Sequence, residues 1–184
     1  MKKLFLSLNI ISVLFSCTRK DDFGFRVYKI KEGKHSSSHV VCSFSGDEMS
    51  FEAMFNETVV YENLDPVNQE DINKLFGFSD CSSHHQNNSA RFGWRWFNNE
   101  IQIFAYCYAE NERAWRQVGV VEMNESNNYR IVAEEQEYIF WLNEDSVQMK
   151  RGKCDGNGGL KYKLYPYFGG DETAPHEVQI MIKD

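Results

Sequence analysis

The chain has 184 residues, 42% of them hydrophobic and 15% aromatic, with a formal charge of −7. That length suits one domain, and so much apolar and aromatic content supports a packed core, which excludes a disordered chain. The acidic balance argues against a nucleic-acid partner, because phosphate binding needs a basic footprint.

The chain opens with Lys2-Lys3, runs apolar from Leu4 to Phe15 and stops at Cys17. A basic start before so short an apolar run reads as a secretory signal and not as a membrane span. Leu14-Phe15-Ser16-Cys17 resembles the processing site of bacterial lipoproteins, which implies that residues 1–16 are removed and Cys17 is lipidated. Lys20-Asp21-Asp22 resembles the export signal of Bacteroidetes surface lipoproteins. The expected location is therefore the outer membrane, exposed at the cell surface, with the membrane reached through the lipid on Cys17. Residues 17–24 then form a polar tether, and residues 25–184 a single domain.

Short alternating runs follow. Phe25 to Lys31, Val40 to Phe44, Ser50 to Phe55 and Val59 to Tyr61 read as strands, each closed by Gly, Asp, Ser or Asn. Asp65-Pro66 is a helix start, with Asp65 as N-cap and Pro66 at the first helical position, so Asn63 to Lys74 is expected to hold one short helical turn. Leu75 to Phe78 re-enters a sheet, and Ser79 to Asn88 is a polar loop. Trp115 to Val121, Tyr129 to Ala133, Tyr138 to Leu142, Val147 to Lys150, Tyr162 to Phe168 and Val178 to Lys183 complete about a dozen strands. No segment sustains a helical period. The expected fold is all-β, a β-sandwich of jelly-roll type.

The stretch from Ser89 to Tyr108 carries the most information. Asn98-Asn99 can supply the two positive φ angles of a type I′ hairpin turn, which fixes the pairing of the flanking strands. Phe97 then faces Glu100, and one side of the hairpin pairs Trp96 with Ile101, Trp94 with Ile103, Phe92 with Ala105 and Ala90 with Cys107. That side is apolar, and its parity assigns both tryptophans to the core. The other side pairs Arg95 with Gln102, Gly93 with Phe104, Arg91 with Tyr106 and Ser89 with Tyr108. A one-residue slip would exchange the two faces.

Asn73-Lys74-Leu75-Phe76-Gly77, Ser89-Ala90-Arg91 with Trp94-Arg95, Tyr106-Cys107-Tyr108, and Tyr167-Phe168-Gly169-Gly170 with Ala174-Pro175 occur in the order seen in a known family. The set resembles the jelly-roll polysaccharide lyases of the family 14 and family 20 type, which act on alginate and glucuronan. Phe76 stands where that pattern has proline. The resemblance implies Lys74, Ser89, Arg91, Tyr106 and Tyr108 as catalytic residues, and the hairpin register adds Arg95 and Gln102 as substrate-binding neighbours. It also implies an anionic polysaccharide as partner and β-elimination on a uronic acid as chemistry. Arg91 and Lys74 would neutralise the carboxylate, while Tyr106 or Tyr108 would serve as base or acid if nearby cations lower a tyrosine pKa. A non-catalytic carbohydrate-binding module and a scaffold lipoprotein without a glycan site are the alternatives.

Cys42, Cys81, Cys107 and Cys154 allow three disulfide connectivities, and no obligatory framework is expected, since Cys107 falls on the core face. Cys81, His84 and His85 lack a second closely spaced ligand pair, so no metal and no cofactor are expected. The Gly-rich loop from Asp155 to Gly159 precedes no helix and is not a phosphate cradle.

Overall fold

A computed structural model describes residues 20–37, 39–154 and 159–184. The expected signal peptide and Cys17 lie outside these residues, as does most of the Gly-rich loop.

Twelve antiparallel strands form a two-sheet sandwich, and no α-helix occurs among the described residues. The first sheet contains β1 (Arg26–Ile30), β12 (Val178–Lys183), β3 (Glu48–Phe55), β8 (Asn127–Ala133), β9 (Glu137–Leu142) and β10 (Asp145–Lys150), in that spatial order. The second contains β2 (Ser43–Phe44), β11 (Lys161–Leu164), β4 (Asn73–Ser79), β5 (Ser89–Phe97), β6 (Glu100–Ala109) and β7 (Glu112–Val121).

Alternating residues of both sheets fill the space between them, as a sandwich requires. Val178, Ile180 and Ile182 are buried from one sheet, and Phe92, Trp94 and Ile103 from the other. Aromatic contacts act within and between the layers. Phe51 stacks on its cross-strand partner Tyr129 in the first sheet with ring centroids 5.0 Å apart, and from the second sheet Phe92 meets both Tyr129 and Phe140 edge-on, at 5.0 and 5.2 Å.

The β5–β6 hairpin has the expected register throughout, from Phe97 opposite Glu100 to Ser89 opposite Tyr108. Asn98 and Asn99 take φ of 53° and 62°. Since a β-branched residue is disfavoured in this left-handed region, Asn98→Val should lower stability by about 1–2 kcal/mol. Asn98→Gly should be close to neutral. Chemical denaturation of the two variants checks this.

Asp65 caps a short 3-10 helix over Pro66–Glu70, its Oδ1 accepting the Val67 N–H at 3.0 Å. Several expectations change. The strand expected from Val40 to Phe44 spans Ser43–Phe44 only. Val59 to Tyr61 is not a strand: Glu57–Val59 is a 3-10 turn, begun by Asn56, whose Oδ1 accepts the Thr58 N–H. The strand expected to run from Tyr162 to Phe168 spans Lys161–Leu164 only, and Tyr167 instead bridges to Ser36 and Lys74. Finally, Cys81 and Cys154 form a disulfide, joining the loop after β4 to the loop after β10, while exposed Cys42 and buried Cys107 are free. Cys81 is therefore withdrawn from any metal cluster with His84 and His85. At the start of the described chain, Asp21 Oδ1 accepts the N–H groups of Phe23 and Phe25.

Candidate active-site cleft

The outer face of the second sheet is organised in cross-strand rows. One row runs Gly77, Arg91, Tyr106, Trp115, and the next runs Lys74, Gly93, Phe104, Gln117. The two glycines leave room. A Cβ on Gly77 would lie 2.5 Å from the Arg91 Cβ, and one on Gly93 would lie 2.4 Å from Ile72.

Lys74 reaches this face through a β-bulge. The β4–β5 register shifts between Lys74 and Gly77, so Leu75 and Phe76 are both buried in the core. Strict alternation would have put Lys74 on the same side as Phe76 and Phe78. A bulge that re-aims one side chain in this way is common beside functional sites.

Arg91 is 9% exposed, its Nε has no hydrogen-bond partner, and no carboxylate pairs with it among the described residues. Its guanidinium carbon sits 5.5 Å from the Tyr106 ring centroid, and the Lys74 ammonium lies 4.6 Å from the same centroid. Both are within cation–π range. Tyr106 and Tyr108 are edge-to-face at 6.0 Å. A buried cation without a counter-ion is unfavourable unless something else supplies the charge. The arrangement suits a bound anion.

Electrostatics follow from this crowding. Burial, then the positive charges of Arg91 and Arg113, pull the Lys74 pKa from 10.5 down to about 7, with Asp71 opposing. Burial, then Tyr108, pushes Tyr106 up to about 12, and Arg91 and Arg113 only partly offset this. The expectation that cations would lower the Tyr106 pKa is thus reversed, because desolvation outweighs them. Tyr106 keeps its proton at neutral pH, and Lys74 is the group poised to lose one. His85, on the loop above, accepts or donates at Nδ1 with the Tyr162 hydroxyl at 3.2 Å, and burial followed by Arg91 and His84 lowers its pKa to about 4.

The structure brings Lys74, Arg91 and Tyr106 together, with half-buried Tyr108 beside them. The other three expected residues have different surroundings. Ser89 is fully buried, and its hydroxyl donates to the His85 carbonyl at 2.6 Å. Arg95 donates from Nε to Gln102 Oε1 at 2.8 Å and from Nη1 to the Glu70 carbonyl at 2.8 Å. That pair ties the 3-10 segment to the hairpin and is occupied by its own contacts.

Arg113 and Trp115 were not anticipated. They stand on β7 opposite Tyr108 and Tyr106, and with Asp71, Lys74, Tyr106 and Gly170 they line a cleft of about 160 Å³. Counting outward from the Glu110-Asn111 turn, whose residues take φ of 54° and 71°, would have found both.

No protein-family model matches the chain, and no curated sequence matches it either. Solved structures do. The alginate lyase vAL-1 from Chlorella virus aligns over 90% of this chain and 85% of its own, with a TM-score of 0.60 and 11% identity. A structure described with endo-acting O-glycanases of the human gut microbiota aligns over 94% and 83%, with a TM-score of 0.60 and 10% identity. A glycoside hydrolase family 16 endo-glucanase from Bacteroides ovatus aligns over 90% and 81%, with a TM-score of 0.56 and 10% identity. At such identities the likeness is one of fold, and the fold is the two-sheet jelly-roll sandwich.

Proposed function

We propose that the chain engages an anionic polysaccharide in the cleft lined by Lys74, Tyr106, Arg113 and Trp115, beside Arg91, and cleaves it by β-elimination at a uronic acid. The observation that carries this reading is the buried Arg91 guanidinium without a carboxylate partner, flanked by a lysine whose pKa falls to about 7 and a tyrosine whose pKa rises to about 12. The fold is shared with alginate lyases and endo-glucanases, which supports a carbohydrate ligand.

In this mechanism Arg91 neutralises the uronate carboxylate and so acidifies the proton on the adjacent ring carbon. The neutral Lys74 amine takes that proton. The electron pair forms the new ring double bond as the glycosidic C–O bond breaks, and the Tyr106 hydroxyl protonates the leaving oxygen. Pairs of groups whose pKa values are pushed apart are what acid–base chemistry at one pH requires. Incubation with alginate, glucuronan and other uronic-acid polymers, followed at about 235 nm for unsaturated ends, tests the activity. Binding in affinity electrophoresis without any such product would select a non-catalytic binding module instead.

The Lys74 assignment has a pH consequence. Its folded-state pKa lies below its unfolded value of 10.5, so burial of the charged form destabilises the fold fully below about pH 7, and that penalty is relieved as pH rises from about 7 to 10.5. The turnover rate should climb through about pH 7 as Lys74 deprotonates. Lys74→Met should abolish turnover yet stabilise the protein by about 2 kcal/mol near neutral pH, an advantage that shrinks toward pH 10.5. Urea titrations at several pH values read this directly.

The same proposal places the domain outside the cell, held by lipid on Cys17. Incorporation of radiolabelled palmitate in the bacterial host should be lost in Cys17→Ala. Equal labelling of both forms would refute the anchor.

A further inference from the structure

A second cavity, of about 550 Å³, opens on the outer face of the first sheet, across the sandwich from the Lys74 cleft. Ligand sites have volumes in this range and combine an aromatic wall with a few polar groups. Two cross-strand rows build this one. The first runs Lys183, Glu52, Asn128 across β12, β3 and β8, and the second runs Ser50, Arg130, Trp141 across β3, β8 and β9. Their parity is opposite to that of the core residues Phe51 and Tyr129, so these side chains leave the sheet on its outer side. The short Ser50 and Asn128 leave a groove between the longer side chains.

The carboxylates of the groove are already engaged. Glu52 lies 2.7 Å from Lys183 and accepts from the Ser126 hydroxyl at 3.1 Å, and Asp184 pairs with Lys163. Arg130 is different. Its guanidinium carbon sits 5.0 Å from the ring centroid of half-buried Trp141, and among the described residues no carboxylate pairs with it and no hydrogen bond holds it. The indole orients the planar guanidinium, so less freedom is lost when it grips a carboxylate with two parallel N–H bonds. The remaining indole surface lines the groove and suits the C–H face of a pyranose. Asn143 spends its amide on Asn127 at 2.8 Å, whereas the Asn128 side chain makes no hydrogen bond among the described residues and is available to a sugar hydroxyl.

We infer that this groove is a second, non-catalytic polysaccharide site, holding a uronic-acid residue with its carboxylate on Arg130, its ring against Trp141 and a hydroxyl on Asn128. It shares no residue with the Lys74 cleft, so it stands or falls apart from the lyase reading. A polymer held on one face of the sandwich stays at high local concentration for the other.

Affinity electrophoresis through gels containing alginate, polygalacturonate, hyaluronan or neutral dextran tests this, with the unaltered protein and Arg91→Met run side by side. At least one carboxylated polymer should retard the Arg91→Met protein, and dextran should not. Adding Arg130→Met or Trp141→Ala to Arg91→Met should raise the dissociation constant by about tenfold or more. Arg130 lies outside the core, so its exchange keeps the fold, and a melting curve of the same sample verifies this. Retardation that neither substitution changes, or dextran retarding as strongly as the acidic polymers, overturns the site. So does binding that Arg91→Met alone abolishes, or Arg130-dependent binding to phosphatidylglycerol vesicles with none to any polymer. Retardation through Arg130 and Trp141 by a protein that forms no unsaturated product keeps this site and removes the lyase reading. No retardation of any form overturns both.

Discussion

Asp80→Ala should destabilise the protein by about 3–5 kcal/mol, a large share of the roughly 5–15 kcal/mol that holds a domain folded. Asp80 directly follows β4 and is completely buried. Its carboxylate accepts from Arg151 Nε at 2.7 Å and Nη2 at 3.3 Å, from the Tyr138 hydroxyl at 2.8 Å and from the Cys81 N–H at 2.9 Å. Lys161 Nζ lies 3.6 Å away and is itself held by Asp47 at 2.7 Å. One carboxylate therefore serves β4, β9, β11 and the loop after β10, beside the Cys81–Cys154 disulfide.

Removing it leaves two cations whose side chains are 9% and 4% exposed without their buried partner, and an unpaired buried charge is costlier than a lost contact. For a chain of this size the loss corresponds to a fall of about 10 °C in melting temperature. Asp80→Asn should lose nearly as much, since the amide keeps the shape and drops the charge. Lys161→Met should lose far less, because Arg151 and Tyr138 still satisfy Asp80. Melting temperatures of the three variants check the order, and a small effect of Asp80→Ala would mean that solvent reaches the pair.

None of that network was visible beforehand. Asp80, Arg151 and Lys161 look like loop charges at the ends of strands, and only the folded chain closes the 71 residues between Asp80 and Arg151. Local patterns did better. Asn98-Asn99 encodes a turn within the four residues Phe97 to Glu100, and period-two alternation carries the consequence along β5 and β6 as far as Tyr108. Asp65-Pro66 is equally local.

The site was legible to the same extent. Arg91 and Tyr106 follow from the hairpin register, whereas Lys74 is on that face only because a bulge reverses its parity, and no alternation rule anticipates a bulge. Ser89 has the right parity, yet at the foot of the hairpin its hydroxyl meets a loop carbonyl first. Arg95 and Gln102 also share the face, but Glu70 arrives from a segment 25 residues upstream and occupies the arginine. Parity predicts which way a side chain leaves the sheet. It does not predict what chain packs over it.

Arg91→Met offers the sharpest separation between a site and a brace. A guanidinium that merely supports its neighbours stabilises the fold, and replacing it lowers the melting temperature. Arg91 instead leaves its Nε unsatisfied, and burial is the first cause lowering its pKa, with the tyrosines Tyr106, Tyr108, Tyr162 and Tyr167 opposing. Replacing such a cation with an apolar side chain of similar length should leave stability unchanged or raise it by about 1–3 kcal/mol. Turnover should move the other way. Loss of the group that meets the developing negative charge should reduce the rate by about 10²–10³-fold, the range seen when one preorganised donor is removed from an active site. Arg91→Lys should recover only part of this, because an ammonium cannot present the planar, two-pronged face that fits a carboxylate. Melting curves and product formation at about 235 nm, measured on the same preparations, give the two readouts. Stability and activity falling together would return Arg91 to the role of a structural brace, whereas their divergence identifies a buried charge on the outer face of the sheet, kept for a ligand to neutralise.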